Sequence, residues 1–403
     1  MSNRSINKKV DKITIVGKGT VGCMAASYFK DKTSADIEWI YDSKQAAQSV
    51  GEGSTLPFGK TFWEEVNLGY GTLEALGGSL KKGIRKMGYN GVGDYLHEFP
   101  LGDVAIHFNS EMLQKYIPSV LEQKGVEIID KRILSHDEID ADYIIDCSGR
   151  PKDFTDFHEA EHIAVNAAYV MQSPCRGPLF DYTLTVARPY GWIFAIPLQN
   201  RVSIGYMYNK DISNIDEIKV DMQEFASQYG FTSSEEINSF TFTNYRRKEN
   251  FTDRVAYNGN ASFFLEPLEA TSVGTADHIN QAVLGMINHD RPLVANNAWY
   301  EDELKSTEQM IMLHYLNGSK YKTPFWDYAG ERAAKSLDEM VKSNKFRDIA
   351  ALALANYKNP SFPKLMSGPG EYGQWPAYSY LQNFKGLGIA QKIDDKIREY
   401  ETQ

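Results

Sequence analysis

The pattern of apolar and polar positions near the start of the chain predicts a β-α-β unit. Residues 12–17 (KITIVG) form a short β-rich apolar run, residues 23–32 (CMAASYFKDK) have the composition of a helix, and Asp36–Tyr41 (DIEWIY) is a second apolar run. A tight glycine turn separates the first run from the helix. The unit spans about thirty residues, which is the length expected of this motif.

Later segments extend this α/β pattern and then change it. Residues 112–130 predict another helix and strand, and Ala141–Arg150 predicts a buried strand that ends in Asp-Cys-Ser-Gly. Residues from about 160 to 260 alternate like antiparallel strands, and the helical pattern returns from Ala276. We therefore predict a core over residues 1–325 with a sheet inserted at about 160–260, followed by a small helical region over 326–403.

Composition narrows the class of protein. The 403 residues are 42% hydrophobic and 24% charged, which favours a globular protein with a large core over a disordered or fibrous one. The net charge of −10 argues against general electrostatic binding to nucleic acid or anionic lipid, so a small-molecule partner fits better. The 3 cysteines and 8 histidines show no ligand spacing, so no metal is predicted. No apolar stretch is long enough to span a bilayer, so we expect a cytoplasmic protein. The sequence does not decide whether it forms a homo-oligomer.

The glycine turn carries the first candidate chemistry. Gly17–Gly22 reads GxGxxG directly after a strand and at the start of a helix, where glycines let the backbone approach a pyrophosphate and the helix N-terminus attracts the anion. An acid at the end of the second strand can accept from ribose hydroxyls. Glycine turns also occur in loops without a ligand, and this motif does not choose between FAD and NAD. The predicted dinucleotide contacts are Gly17, Gly19, Thr20, Val21, Gly22 and Asp42.

Two further segments favour FAD. Ser49–Pro57 places glycines around one acid, and Asp146–Gly149 ends a strand that would return the chain to the same crevice. In this order they resemble the FAD-binding segments of flavin monooxygenase-type folds. Their predicted cofactor contacts are Gly51, Glu52, Gly53, Ser54 and Asp146.

With these segments in place, the chain resembles the flavin-dependent halogenase family, best known from tryptophan halogenases. GEGSTLP at residues 51–57 is similar to the family's GEATxP loop, and Trp192–Pro197 (WIFAIP) to its WxWxIP hallmark, with Phe194 in place of the second Trp. Glu266–Ser272 (EPLEATS) is similar to a third family segment, with Ser272 in place of Gly. The resemblance runs from Lys12 to about Trp326 and then fades.

The resemblance implies an α/β, FAD-binding Rossmann-like fold of the flavin monooxygenase type, with an inserted antiparallel sheet and a reduced helical C-terminal substrate region. It also implies an enzyme that uses reduced FAD, oxygen and a halide, chloride or bromide, to make hypohalous acid. That acid would halogenate a small electron-rich aromatic substrate, such as an indole or a phenol. Because there is no second nicotinamide motif, a separate flavin reductase is the simpler source of reduced FAD.

The resemblance also assigns the two catalytic residues. Lys81 aligns best with the family's essential lysine, in a segment that looks helical, and Lys82 is the competing register. From the residues alone, the alternative is that Lys81, Lys82, Arg85 and Lys86 form a solvated basic face. Glu269 would stabilise the cationic ring intermediate or position the oxidant, and it also suits a helix-capping role.

The remaining implied roles concern the halide and the separation of flavin from substrate. Backbone N–H groups of Thr271 and Ser272 would bind the halide, and Val273 would touch the flavin. Ser272 would restrict halide binding if a positive φ were needed there. The partition would be formed by Trp192, Phe194, Ile196 and Pro197, for which core packing is the alternative. The competing functions are a flavin-dependent monooxygenase or reductase of the same fold, and a flavin-holding protein without activity.

Overall fold

The computed structural model describes residues 9–45, 52–56, 64–66, 68–100, 103–232, 237–289, 291–360 and 371–402. The chain forms two compact units that alternate along the sequence. The first contains residues 1–80, 104–159 and 245–302, and the second contains residues 81–103, 160–244 and 303–403. The proposed domain boundary at residue 325 stays a prediction, and Gly51 lies outside the described residues.

The first unit is built on a five-stranded parallel sheet. Its strands, numbered in chain order throughout the molecule, are β1 (Lys12–Val16), β2 (Asp36–Tyr41), β7 (Glu127–Asp130), β8 (Tyr143–Asp146) and β16 (Val255–Tyr257). The spatial order is β16-β8-β1-β2-β7. β1 and β8 are almost wholly buried, which explains why they read as continuous apolar runs instead of alternating ones. The predicted β-α-β unit is confirmed.

Three long helices accompany this sheet: α1 (Thr20–Lys32), α3 (Ser110–Gln123) and α5 (Thr271–His289). α1 contacts both of the others as well as β1 and β2. The rest of the unit comprises α2 (Tyr70–Ala75), the paired strands β3 (Ser79–Lys81) and β6 (Ala105–His107), and a small sheet of β9 (Phe157–Glu159), β15 (Tyr245–Arg247) and β17 (Phe263–Phe264). The chain passes into the second unit three times: at the end of β3, after β9, and within α6 (Leu293–Leu313).

The second unit contains a seven-stranded sheet in the order β14-β10-β13-β12-β11-β4-β5. The strands are β4 (Gly83–Met87), β5 (Asp94–Glu98), β10 (Ala167–Pro174), β11 (Thr183–Arg188), β12 (Gly191–Pro197), β13 (Arg201–Tyr208) and β14 (Ile237–Thr241). All pairs are antiparallel except β4 with β11. One face packs against α4 (Ile215–Tyr229), with Ile193 and Ile204 in the same apolar cluster as Met222 and Phe225.

The inserted antiparallel sheet is thus confirmed, and it is larger than predicted. β4 and β5 come from much earlier in the chain, and they complete the sheet through the parallel pairing of β4 with β11. Residues 245–260, which were assigned to the insert, belong to the first unit.

The C-terminal part of the second unit is mainly helical, as the pattern predicted. It contains α7 (Pro324–Met340), α8 (Asn344–Lys358), α9 (Ala377–Gly386) and α10 (Ala390–Glu401), together with the short strands β18 (Glu371–Tyr372) and β19 (Trp375–Pro376). α9 contacts both α8 and β5. Within the described part of the chain, no helix combines the length and the apolar character needed to cross a membrane.

Candidate active site

The glycine turn lies at the carboxyl end of β1 and is shaped by two close backbone contacts. A Cβ on Gly17 would lie 2.3 Å from the carbonyl oxygen of Cys147, and a Cβ on Gly22 would lie 2.1 Å from that of Gly17. Gly17 also has a φ of 104°, in the region that favours glycine. A Cβ on Gly19, by contrast, would meet nothing within 4 Å. Internal packing therefore requires Gly17 and Gly22, whereas Gly19 leaves open space above the turn.

The open space borders the N-terminus of α1. Gly19 is the N-cap and makes no side-chain capping bond, and the helix begins at Thr20 and Val21. The first N–H groups of a helix have no intrahelical acceptor, and they favour an anionic ligand. A hydrogen bond from β2 fixes the turn, since Trp39 Nε1 donates to the carbonyl oxygen of Gly17 over 2.8 Å. The arrangement fits a pyrophosphate.

Asp42 and Asp146 lie at the same sheet edge, because their strands are the two neighbours of β1. Asp42 accepts from the backbone N–H of Lys44 over 2.9 Å. Asp146 Oδ2 lies 2.8 Å from His136 Nε2, and its Oδ1 accepts from the backbone N–H of Ser148 over 2.8 Å. Burial alone would raise the pKa of Asp146, but these hydrogen bonds outweigh it and lower the pKa. The Asp146 carboxylate therefore fixes its own loop, and its contact with a cofactor stays a prediction.

The segment Glu52–Ser54 runs beside β6. Gly53 forms a bridge with His107, and Ser54 N–H donates to the carbonyl oxygen of Ile106 over 2.9 Å. Glu52 is buried, and its Oε1 lies 3.4 Å from the backbone nitrogen of Ser110, the first residue of α3. The structure thus places Glu52 at a helix N-terminus, and the cofactor contacts predicted for Glu52, Gly53 and Ser54 are not tested.

Glu269 occupies a strained turn directly before α5. Its φ is 69° and that of Ala270 is 56°, and among the described residues they are the two non-glycine positions with positive φ. Each such residue costs about 1–3 kcal/mol, and this kind of strain concentrates at functional sites. Glu269 is also buried, at 5% exposure.

The strain ends where the proposed halide-binding residues begin. Thr271 and Ser272 are the first residues of α5, and Val273, which follows, is buried. Ser272 does not have a positive φ. A serine therefore fits this backbone, and the condition under which it would impair halide binding is not met.

Sequence reasoning missed the residues that hold these parts together. Asn258 donates its backbone N–H to the carbonyl oxygen of Asp146 over 2.8 Å and its Nδ2 to that of Ala276 over 2.9 Å. A Cβ on the next residue, Gly259, would lie 3.0 Å from Val21 Cγ2. The pair thus connects the end of β8 with α1 and α5. The Asn-Gly dipeptide after an apolar run was the available signal.

In the second unit, the structure separates the two candidate lysines. The helix predicted around Gly77–Ile84 is wrong: Ser79–Lys81 form β3, and β4 begins at Gly83. Lys81 is buried at 1% exposure, and its Nζ lies 5.7 Å from the ring centroid of Phe99. The Lys82 side chain is 57% exposed and forms an ion pair with Asp181 at 2.5 Å. Consecutive residues of an extended chain point to opposite sides, which explains why one lysine is buried and the other is not.

The basic cluster as a whole is not a solvated face. Lys86 is fully buried on β4, where its Nζ donates to Asn383 Oδ1 on α9 over 2.8 Å. Tyr95 on β5 donates to the same oxygen over 3.0 Å. Arg85 is partly exposed and pairs with Asp94 at 2.7 Å. The basic segment 81–86 therefore contains two buried lysines, Lys81 and Lys86, and two basic residues with exposed side chains, Lys82 and Arg85.

The predicted partition residues share one strand, β12. The rings of Trp192 and Phe194 lie on the same face with centroids 6.2 Å apart, as their spacing predicted. Trp192 is 1% exposed, and its Nε1 has no hydrogen-bond partner among the described residues. The ring of Phe194 covers Gly205 on β13, where a Cβ would lie 2.3 Å from Phe194 Cζ. Ile196 and Pro197 are buried further along the strand.

The parallel sheet, the glycine turn after β1 and the antiparallel second sheet define an FAD-binding Rossmann-like fold. A sequence model of the family described as "Tryptophan halogenase" matches residues 12–116 and 101–397, and the chain belongs to this family. The match continues past Trp326, so the expectation that the resemblance fades there was wrong. The C-terminal helices keep the family's pattern even where the recognisable motifs have ended.

Individual relatives are distant. The chain is 23% identical over 318 residues to tryptophan 6-halogenase SttH of Streptomyces toxytricini, which covers 70% of this chain and 57% of SttH. It is 24% identical over 257 residues to 7-chloro-L-tryptophan 6-halogenase KtzR of Kutzneria sp. (strain 744). That alignment covers 55% of this chain and 48% of KtzR. By sequence alignment, the chain thus spans about half the length of the curated relatives it matches.

Solved structures agree on the fold over nearly the whole chain. The crystal structure of SttH aligns with a TM-score of 0.75 at 19% identity and covers 97% of this chain and 96% of the other. BrvH, a flavin-dependent halogenase from Brevundimonas sp. BAL3, aligns with a TM-score of 0.75 at 19% identity. The alignment covers 98% of this chain and 95% of BrvH.

Proposed function

We propose that the protein is a flavin-dependent halogenase that uses reduced FAD, oxygen and a halide to halogenate an electron-rich aromatic substrate. The observation that carries this proposal is the burial of Lys81 at 1% exposure beside Phe99, next to an exposed Lys82. A lysine is rarely buried without a reason, because desolvating its charge is costly. Membership of the tryptophan halogenase family supports the assignment.

The glycine turn fits FAD. The open space at Gly19 and the N–H groups of Thr20 and Val21 would hold the pyrophosphate, with Asp42 at the ribose. Glu52, Gly53, Ser54, Asp146 and Val273 are proposed as further contacts. When bound, reduced FAD with oxygen, halide and a proton would supply hypohalous acid, leaving oxidised FAD and water.

Lys81 would hold the hypohalous acid by a hydrogen bond from Nζ, or carry the halogen as a haloamine. Its surroundings suit either role, since the side chain is buried against an aromatic ring and the acid must be kept from bulk water. Lys82 suits neither, because it is exposed and paired with Asp181.

Glu269 would accept the proton that the arene loses when the carbon–halogen bond forms and the carbon–hydrogen bond breaks. Its carboxylate would also stabilise the cationic ring before that proton leaves. The halide would be held by the N–H groups of Thr271 and Ser272 at the N-terminus of α5, without a basic side chain. The strained turn at Glu269 and Ala270 supports a functional role for this segment.

Trp192, Phe194, Ile196 and Pro197 would form a wall that keeps substrate from meeting the flavin. The burial of Trp192 and Ile196 and the contact of Phe194 with Gly205 support a packed wall. We propose a small indole or phenol as substrate and a separate reductase as the source of reduced FAD.

The test compares Lys81→Ala with Lys82→Ala in a reaction containing a flavin reductase, FAD, NADH, oxygen, bromide and a panel of indoles and phenols. Bromination is read by mass spectrometry from the isotope pair. We expect Lys81→Ala to lower the rate by about 10²–10³-fold, the range for loss of one catalytic group, and Lys82→Ala to keep it within about twofold. Both variants should melt within a few degrees of the wild type if the comparison is to be interpreted.

Two outcomes would contradict the proposal. Bromination that survives in Lys81→Ala and is lost in Lys82→Ala would reverse the assignment of the lysines. Hydroxylated products, or consumption of NADH without brominated product, would instead favour a monooxygenase or reductase of the same fold.

A further inference from the structure

A cluster of three possible metal ligands lies in the second unit. Glu161 and His162 precede β10, and Glu339 is near the end of α7. His162 Nε2 lies 3.4 Å from a carboxylate oxygen of Glu339 and 3.9 Å from one of Glu161. One ligand atom from each residue can be chosen so that all lie within 4.8 Å of one another. The sequence could not show this cluster, because Glu339 is far along the chain from the other two.

The backbone of His162 is held in place by hydrogen bonds, but its ring nitrogen Nε2 lacks one in the part of the chain that the structure describes. His162 is only 9% exposed, and its Nε2 makes no hydrogen bond of acceptable geometry to the described residues. Its backbone is fixed on both sides: the N–H donates to Glu308 Oε1 over 2.5 Å, and the carbonyl oxygen accepts from Arg332 Nε over 3.0 Å. Buried polar atoms are nearly always paired, so this nitrogen indicates a missing partner.

Glu339 is also oriented for such a partner. Its Oε2 lies 3.1 Å from Lys305 Nζ, and its Oε1 faces His162. Carboxylates that bind a metal are commonly oriented by a neighbouring group outside the ligand set, and the ion pair with Lys305 can orient Glu339 in this way.

We propose that Glu161, His162 and Glu339 bind one divalent transition-metal cation such as Zn²⁺. Ligands about 2.0–2.1 Å from a tetrahedral ion are about 3.4 Å apart, close to the distance from His162 to Glu339. Glu161 is exposed, and its carboxylate, which lies 3.9 Å from His162 Nε2, would move inward to reach the ion. One nitrogen and two oxygens suit zinc or its neighbours better than Ca²⁺ or Mg²⁺, which prefer oxygen ligands alone.

The ion would connect the segment before β10 to α7 within the second unit, and none of its ligands has a role in the proposed halogenation. With three protein ligands, the fourth position would be taken by water.

The experiment titrates metal-depleted full-length protein with ZnCl₂ by calorimetry, with MgCl₂ and CaCl₂ as comparison ions. We expect one equivalent of zinc to bind and the melting temperature to rise, with at least about tenfold weaker binding in Glu339→Gln. Glu331→Gln, an exposed acid on the same helix, is the matched control and should bind like the wild type. Glu161→Gln provides a second test at an exposed position if Glu339→Gln folds poorly.

Cobalt gives an independent readout, because tetrahedral Co²⁺ absorbs visible light when bound by such ligands. No zinc binding by the wild type, or equal binding by wild type and both variants, would overturn the proposal. Binding of Ca²⁺ or Mg²⁺ as tight as that of Zn²⁺ would overturn the assigned class of ion.

Discussion

The glycine turn offers a prediction in which stability and cofactor binding separate. Gly19→Ala and Gly22→Ala each add one methyl group to the glycine turn, at the N-cap and in the first turn of α1. At Gly22 the new carbon would lie 2.1 Å from the carbonyl oxygen of Gly17, a backbone contact that no rotamer change relieves. At Gly19 it would meet nothing within 4 Å, and φ is −54°, which alanine adopts without strain.

The magnitudes follow from these contacts. Forced overpacking costs about 1–3 kcal/mol, so Gly22→Ala should lower the melting temperature of a chain of 403 residues by roughly 1–4 °C. Gly19→Ala loses a favourable N-cap residue, which costs about 1 kcal/mol or less. If the pyrophosphate approaches at Gly19, the methyl group occupies its path, and FAD affinity should fall about 10–100-fold, or about 1.4–2.7 kcal/mol.

The assay combines a thermal melt without FAD and an FAD titration followed by flavin fluorescence. Gly19→Ala should fold like the wild type and bind FAD weakly, whereas Gly22→Ala should lose stability first. A Gly19→Ala protein that binds FAD with wild-type affinity would refute the placement of the cofactor above the turn.

Three further predictions concern strain, burial and packing. Ala270→Gly should raise the free energy of unfolding by about 1 kcal/mol in denaturant titrations, because glycine relieves the positive φ of 56°; an unchanged or lower value would contradict the strain. Burial raises the pKa of Glu65 to about 8 from an ordinary value of 4.5, so its protonated form stabilises the fold at low pH and that contribution is lost as pH rises from about 4.5 through 8. Glu65→Gln should therefore flatten this fall and give a higher melting temperature at pH 8 than the wild type; an equal fall in both proteins would contradict it. Gly205→Ala should displace the Phe194 ring, cost about 1–3 kcal/mol of stability and lower the share of flavin turnover that yields halogenated product; unaltered coupling would count against the wall.

The first unit could be predicted because its signals are local. The apolar runs around Gly17–Gly22 are continuous, and the glycines follow the first strand directly, so the β-α-β unit and the position of Asp42 were accessible from the sequence. The return of Asp146 to the same edge was also predicted, since parallel strands of such a unit end together. Its pairing with His136 was not, because His136 begins a short 3₁₀ helix (His136–Glu138) and nothing in that local sequence points to Asp146.

The helix prediction for the segment around Lys81 was wrong for a different reason. Hydrophobic patterning assumes that lysines are exposed, and residues 81–86 bury two of them in strands. The pairing of β4 with β11 joins positions about a hundred residues apart, and nothing local in either strand specifies it. The strain at Glu269 and Ala270 is likewise invisible, since neither residue type ordinarily adopts positive φ.

We propose that this chain halogenates an arene with an oxidant that Lys81 holds. Brominated product can be followed with purified wild type and Lys81→Ala, each supplied with reductase, FAD, NADH, oxygen and bromide. We expect brominated arene from the wild type and little from Lys81→Ala, although the variant still binds FAD. Equal bromination by both proteins, or none by a wild type that binds FAD, would contradict it.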